Sequence, residues 1–483
     1  MNTQIRRLGI VLGLLFVALF VQLNWLQVVD ADRLNDHPAN TRAVVRDFSQ
    51  PRGVIQTSDG VVLAVSTPVD DEFKRLRSYP EGALFAHITG FFSFNYGSDG
   101  VERTYNDALT GRDRKVSIDR LADLLLEKER SANVTLTLSK SLQELATREL
   151  GPRKGAVVAL NPRTGEVLAL ADFPSYDPNP LASHEQDEVR GAWDRLNADP
   201  DKPLLPRTYR ERYFPGSSFK VVTAAAGLAT GAATLTAPVY PTLTALPLPQ
   251  SSQPLGNFGG GSCGGPLPEA MRVSCNTSFG QLGLDMGGEN LSNVAQAFGF
   301  GKVPPLDLPH GVASVFPPGS EFARDKPALA KSAIGQQDVS ATPLQMALVA
   351  AAIANDGVVM TPHVMAEVRD SEGRVVNRFE PRPWMTAVPA DVAHSVRDMM
   401  IGVVERGSGT AARIPGVPVA GKTGTAQTGR DTSHVWFVSF APADDPRIAV
   451  AVVLEDQPSA DEATGGRLAA PIAQSVMRAA LGA

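Results

Sequence analysis

From Leu8 to Val29 the chain runs through 22 residues without a formal charge, mostly Leu, Val, Phe and Gly, with Arg6 and Arg7 just ahead of them. A helix of that length, rising about 1.5 Å per residue, spans the hydrocarbon core of a bilayer. The two arginines favour a short tail held in the cytoplasm and nearly all of the remaining chain on the outer face. Gln22, Asn24 and Gln27 fall toward the outer end, where water, headgroups or a partner helix can satisfy them. A cleaved signal peptide is the rival reading, but the run exceeds an ordinary h-region and no Ala-x-Ala site closes it. A buried soluble helix fits poorly, because no charged face interrupts the run. No comparable segment follows. The expectation is a cytoplasmic tail (1–7), one membrane span (8–29) and one large exterior portion.

That portion is long enough for a substantial core. The chain has 483 residues, 43% apolar and 20% charged, which excludes wholesale disorder. Forty-five Lys and Arg stand against 51 Asp and Glu, a formal net charge of -6, so no basic excess exists to attract nucleic acid. The two cysteines, Cys263 and Cys275, cannot build a four-thiolate zinc site or a cysteine-rich scaffold. An exterior location permits a disulfide between them, and two separate reduced thiols fit the sequence nearly as well.

Two strand-turn-strand signals organise the first half. Val54–Gln56, the turn Ser58-Asp59-Gly60 and Val61–Ala64 form one; Ala156–Leu160, Asn161-Pro162-Arg163-Thr164-Gly165 and Val167–Ala171 form the other, read as adjacent antiparallel strands of a central sheet. Residues 117–129, rich in Leu, Glu, Lys and Arg, predict a helix with a solvated charged face. Further helices are predicted near 218–229, 276–286, 341–355 and 390–405, so the fold class is α+β, a sheet covered by helices. Gly256–Gly265 holds six glycines without the lysine of a phosphate-binding loop and reads as a loop. Pro304, Pro305, Pro309, Pro317 and Pro318 punctuate a connector or lid-like loop.

The chemistry concentrates in three short motifs. In Phe214-Pro215-Gly216-Ser217-Ser218-Phe219-Lys220, Ser217 and Lys220 stand at i and i+3, where one helix face can hold both. A neutral, desolvated lysine can take the serine proton, and the helix N-terminus favours negative charge developing near Ser217. Alone, the pair could be an N-cap hydroxyl and a solvated charge. Ser274-Cys275-Asn276 precedes a helix: Ser274 could relay a proton to a leaving amine, and Asn276 could orient a substrate amide or Lys220. Both could equally cap the helix. In Gly421-Lys422-Thr423-Gly424-Thr425, the triplet starts a strand that partners Val435–Phe440. Lys422 supplies positive potential and Thr423 a hydroxyl, while Gly424 offers a backbone surface without Cβ on which a peptide can lie. Thr425 could give a backbone donor to an oxyanion hole and a hydroxyl to a carboxylate.

The ordered trio Ser217-x-x-Lys220, Ser274-x-Asn276 and Lys422-Thr423-Gly424 resembles the signature of penicillin-binding proteins and serine β-lactamases. The longer text is similar to class B, monofunctional penicillin-binding transpeptidases, and within them to the short actinobacterial penicillin-binding protein A subgroup. Gly165–Ala169, Ser175–Asn179, Thr342–Ala347, Ile353–Gly357 and Trp436–Val438 extend the likeness. Arg52-Gly53-Val54-Ile55, Arg77, Gly82, His87, Gly90, Gly100, Glu102, Tyr105, Leu109 and Gly111 resemble a pedestal between membrane and enzyme, with Arg52 and Glu102 as an ion-pair or hydrogen-bond pair. Gly335-Gln336-Gln337 departs from the Gly-Gln-Gly of many relatives. The implied organisation is a pedestal or dimerisation-like domain (30–150) and a serine transpeptidase domain (151–483) with a central antiparallel sheet.

The resemblance implies that Ser217 attacks the penultimate carbonyl of a peptidoglycan stem peptide ending in D-alanyl-D-alanine. Lys220 is the base, and the backbone N–H groups of Ser217 and Thr425 hold the oxyanion. Ser274 and Lys220 return the proton, Asn276 holds the donor peptide, and Lys422, Thr423 and Thr425 favour its terminal carboxylate. A neighbouring amine then completes a crosslink, and β-lactams acylate the same serine. No cofactor or metal is implied. His434 is better read as a structural hydrogen-bond partner than as an acid or base, and Asp177 and Asp338 as loop-organising carboxylates. Further expected partners are the membrane, a multispanning lipid II-polymerising glycosyltransferase and the growth or division machinery. D,D-Carboxypeptidase or β-lactamase activity, a β-lactam sensor and a division scaffold are the alternatives.

Overall fold

The apolar runs at Gly155–Leu160 and Val167–Phe173 do form neighbouring antiparallel strands, and they close one side of a five-stranded sheet. Its order is Ala420–Gln427, Thr432–Ala441, Ile448–Pro458, Gly155–Leu160, Val167–Phe173, antiparallel throughout. Gly155–Leu160 and Val167–Phe173 read as near-continuous apolar text because both faces of the sheet are covered there. Val157, Ala159, Val450 and Val452 pack with the helices Lys140–Leu150 and Ala470–Leu481. Ala156, Val158, Ala451 and Val453 join the cluster that contains Pro343–Ala354, a helix with every residue buried. Thr342 starts that helix by accepting the Gln345 N–H at 3.1 Å.

The computed structural model describes residues 2–25, 48–112, 131–429, 431–458 and 464–483. It divides into two compact units, Met1–Pro51 with Thr67–Leu76 and Arg52–Ser66 with Arg77–Ala483. In the first lies the helix Asn2–Asn24, long and apolar enough to cross a membrane. It starts ahead of the predicted span and takes in Arg6 and Arg7, since charge ends a membrane-embedded stretch without ending a helix. Residues 26–29 of the predicted span and the predicted helix at 117–129 lie outside the described residues.

Within the second unit, Ile55 and Gln56 pair with Ala64 and Val62 across the predicted Asp-Gly turn. The same strand runs parallel to Asn133–Leu136, which pairs in turn with Met365–Arg369 from far along the chain. Beneath this sheet Glu102, fully buried, receives Arg52 Nε and Arg77 Nε at 2.6 Å each and the Tyr79 hydroxyl at 3.3 Å. Burial alone would raise the Glu102 carboxyl; the two guanidinium groups outweigh it and hold the group below the ordinary carboxylate range. The predicted helices appear at Lys220–Ala229, Asn276–Met286, Pro343–Ala354 and Ala390–Arg406.

Two loop readings need correction. The glycine-rich segment contains short strands, Leu255–Gly256 and Cys263–Gly265, the latter paired with Tyr240–Leu243. Backbones approach so closely there that a Cβ on Gly264 would meet the Pro241 carbonyl oxygen at 2.5 Å. Of the two expected roles, connector or lid-like loop, the proline-rich stretch is packed as a connector. Asp307 accepts the backbone N–H groups of Val364 and Met365 at 2.6 and 2.9 Å, and no residue of 302–318 lines the cleft described below.

Candidate active site

Ser217 lies in a 3-10 turn, Gly216–Phe219, and Lys220 opens the α-helix that continues it. The segment is thus tighter than the single α-helix face predicted, and 3-10 geometry eclipses residues i and i+3. The turn is locked from two sides. Gly216 N–H donates to the Gly335 carbonyl at 2.9 Å, and Trp436 Nε1 donates to the Phe214 carbonyl at 3.0 Å.

Gly424 packs against this turn. A Cβ there would sit 2.7 Å from the Pro215 carbonyl oxygen, 2.9 Å from Trp436 Cβ and 3.2 Å from the Ser218 nitrogen. Its missing side chain therefore admits the serine turn, which corrects the expectation that it clears room for substrate. The close approach brings Ser217 and Thr425 to one cleft of about 760 Å³, lined also by Ser274, Asn276 and Thr423. Ala420–Gln427, with Thr423 and Thr425 on it, is an edge strand of the central sheet, and such an edge offers backbone groups to an extended peptide.

Beneath the cleft are two fully buried lysines. Lys220 Nζ donates to Asn276 Oδ1 at 2.6 Å and to the Ser274 carbonyl at 2.7 Å, and it lies 3.3 Å from Ser274 Oγ. Lys422 Nζ donates to the same Ser274 Oγ at 2.8 Å and to the Thr423 carbonyl at 3.0 Å. Burial, reinforced by the neighbouring charge of Lys422, pulls Lys220 well below an ordinary lysine. Burial brings Lys422 down to about 7. A neutral Lys220 has two N–H donors, which its two nearest acceptors occupy, and a lone pair left to take a proton. Among the described residues Ser217 Oγ has no hydrogen bond, to Lys220 or to any other group.

Ser274 holds a left-handed backbone, φ 61°, a conformation that costs a non-glycine residue about 1–2 kcal/mol. The hydroxyl and the carbonyl of Ser274 both face lysine amines as a result. Neither Ser274 nor Asn276 caps the helix Asn276–Met286; Asn257 does, accepting the Thr277 N–H at 3.0 Å. Asn276 orients Lys220, one of the two options open from sequence, and its Nδ2 donates to the Gly256 carbonyl at 3.0 Å. Cys263 and Cys275 are disulfide-bonded, with Cα atoms 5.8 Å apart, and Cys275 is buried. The bond ties the glycine-rich segment to the residue between Ser274 and Asn276.

Some expected bystanders are just that. His434 Nδ1 accepts the Asp456 backbone N–H at 3.3 Å, and His434 does not line the cleft. Asp177 accepts from the backbone and side chain of Asn179 at 3.0 and 2.7 Å, organising its own loop. Asp338 is exposed. Among the described residues no cluster of His, Cys, Asp and Glu could hold a metal ion. Ser408 is a contributor that motif reading missed: it lines the cleft and shares a 2.7 Å hydrogen bond with the Thr423 hydroxyl. Ser408-Gly409 is visible in the sequence only as a stop to the helix Ala390–Arg406.

Comparison with known proteins bears on the family. The family of penicillin-binding protein transpeptidase domains matches residues 155–478, and the penicillin-binding protein A dimerisation domain matches residues 52–134. The chain is 42% identical to the peptidoglycan D,D-transpeptidase PbpA of Mycolicibacterium smegmatis over all of this chain and 99% of that one. The Mycobacterium tuberculosis protein of the same name is 40% identical with equal coverage. Among solved structures, the ceftriaxone acyl-enzyme complex of M. tuberculosis penicillin-binding protein A is similar, with a TM-score of 0.84 at 40% identity, covering 90% of this chain and 100% of that one. The D,D-transpeptidase domain of a peptidoglycan glycosyltransferase from Eggerthella lenta gives 0.79 at 35% identity, covering 90% and 99%.

Proposed function

The chain belongs to the penicillin-binding transpeptidase family, and on that premise we propose that it is a peptidoglycan D,D-transpeptidase working through a Ser217 acyl-enzyme. One observation carries the assignment of roles: the Ser274 hydroxyl lies between two buried lysine amines, at 3.3 and 2.8 Å, below a cleft lined by Ser217 and Thr425.

In the first half-reaction neutral Lys220 takes the Ser217 proton as Oγ bonds to the penultimate D-alanine carbonyl carbon. The backbone N–H groups of Ser217 and Thr425 hold the oxyanion. As the carbon–nitrogen bond breaks, the departing D-alanine amine takes the proton of Ser274, which Lys220 restores across the 3.3 Å contact. The terminal carboxylate meets the hydroxyls of Thr423 and Thr425 and the field of Lys422. An anion there favours the charged form of Lys422, which burial otherwise pulls down to about 7. In the second half-reaction an amine from a neighbouring stem peptide attacks the ester, loses its proton to Lys220 and displaces Ser217, which regains a proton. β-Lactams enter by the same first step.

The helix Asn2–Asn24 anchors the chain in the membrane, with Arg6 and Arg7 on the cytoplasmic side and the catalytic portion outside. Residues 30–150 serve as the pedestal and 151–483 as the transpeptidase domain, joined to a multispanning lipid II-polymerising glycosyltransferase in growth or division.

The test compares full-length wild type with Ser217→Ala for fluorescent penicillin labelling, intact-mass acylation and products from stem peptides. A penicilloyl adduct on wild type alone, together with crosslinked dimer, is the expected result. Trimmed peptide alone would make the protein a carboxypeptidase, and rapid release of opened β-lactam would make it a β-lactamase.

A further inference from the structure

Polar side chains that line the cleft are not all alike. Those of Ser274, Asn276, Asn257, Ser408 and Thr423 are hydrogen-bonded to neighbours in the protein. Another lining segment is different. Lys331, at the C-terminal end of the helix Lys326–Ser332, lines the cleft half-buried, followed by half-buried Gln336 and exposed Gln337. Among the described residues Lys331 has no ion-pair partner, and the Gln336 and Gln337 side chains have no hydrogen bond. Lys331 is also the one charged side chain among the described residues that line the cleft; no Asp or Glu is among them.

This segment is tied to the turn that carries Ser217. Gly335, two residues before Gln337, accepts the Gly216 N–H at 2.9 Å, and a Cβ on Gly335 would meet the Gly216 carbonyl oxygen at 2.2 Å. Gln337 keeps a left-handed backbone, φ 64°, in which a glycine would be unstrained. A strained residue beside a reaction centre points to a demand that its side chain meets.

Building on the transpeptidase reading, the geometry points to a substrate subsite in which Lys331, assisted by the amides of Gln336 and Gln337, pairs with an interior carboxylate of the stem peptide. That carboxylate is upstream of the terminal D-alanyl-D-alanine and distinct from the one near Thr423 and Thr425. The subsite makes the enzyme distinguish stem peptides with free interior carboxylates from amidated ones. A charge-assisted hydrogen bond in a half-buried setting corresponds to about a tenfold preference.

The experiment uses the full-length protein and two synthetic pentapeptides ending in D-alanyl-D-alanine, identical except that their interior carboxylates are free in one and amidated in the other. D-Alanine release gives kcat/KM for each, and the readout is their ratio within each variant. Wild type should favour the free carboxylates about tenfold, the ratio should fall to about one in Lys331→Gln and survive in Lys331→Arg, and rising salt should compress it. A wild-type ratio of one, or an unchanged ratio in Lys331→Gln, overturns the subsite. Fluorescent penicillin labelling of wild type runs alongside. Absent labelling at Ser217 would remove the transpeptidase reading and the subsite with it, whereas normal labelling with an unchanged ratio removes the subsite alone.

Discussion

Replacing Lys422 by Met tests the coupling of the two buried amines most directly. Burial brings the folded-state Lys422 to about 7, while an unfolded lysine titrates near 10.4, about 3.5 units higher. The unfolded chain therefore binds more protons between those values, and wild-type stability rises with pH across that window. Below it the folded protein carries a buried charge that costs about 5 kcal/mol relative to high pH, at roughly 1.4 kcal/mol per unit. Lys422→Met removes this dependence. Its melting temperature should exceed that of wild type most below pH 7, with the difference closing toward pH 10. Catalysis should move as well. Both amines reach one oxygen, at 3.3 and 2.8 Å, so their nitrogens lie at most about 6 Å apart. Two charges at that distance repel by about 3 kcal/mol at an effective dielectric of ~20. Without Lys422 the charged form of Lys220 is relieved of that repulsion, so the alkaline-rising limb of Ser217 acylation moves to higher pH. Acylation near neutrality falls by up to about a hundredfold and recovers on the alkaline side. Stopped-flow β-lactam acylation and fluorescence-detected melting of the full-length protein from pH 6 to 10 read both effects. A pH-independent melting difference, or an acylation midpoint that stays put or moves down, would refute the coupling.

Other perturbations address the scaffold. Glu102→Gln leaves Arg52 and Arg77 buried without a counter-charge and should destabilise by about 3–5 kcal/mol in thermal or chemical unfolding. Because the folded-state carboxyl is depressed, the stability it contributes is complete above its unfolded value and fades only as pH falls through the depressed one. Gly424→Ala drives a methyl group toward the Pro215 carbonyl oxygen at 2.7 Å. It should cost about 1–3 kcal/mol of stability and, by displacing the serine turn, lower acylation by about a hundredfold. Gly402→Ala, on the helix Ala390–Arg406 with nothing within 4 Å of the new Cβ, should instead stabilise by about 0.5–1 kcal/mol. Equal effects of the two glycine substitutions would contradict the packing argument.

Much of the scaffold was legible in local text. Strand runs such as Ala156–Leu160 announce themselves through apolar continuity, the hairpin at Asp59-Gly60 through turn chemistry, and Pro343–Ala354 through a Thr-Pro start and an apolar run interrupted only by Gln345. These are short-range properties, decided by neighbouring residues. The three motifs were likewise visible as residue types in order, and so were Ser217 and Lys220 as candidate nucleophile and base.

Their working state was not, because it depends on groups brought together from far apart. Lys422 and the Ser274 hydroxyl are 148 positions apart in sequence, and Lys220 and that hydroxyl 54. A lysine's proton affinity is set by the water it loses and the charges it meets, neither of which appears in its own neighbourhood of the chain. Packing likewise turned Gly424 from a supposed substrate platform into the space that admits the Pro215–Ser218 backbone, and selected the bonded state of Cys263 and Cys275. The chain by itself determined which chemical groups are present and in what local frame; only the tertiary structure decided which are dry, which share a proton and which remain unpaired toward the cleft.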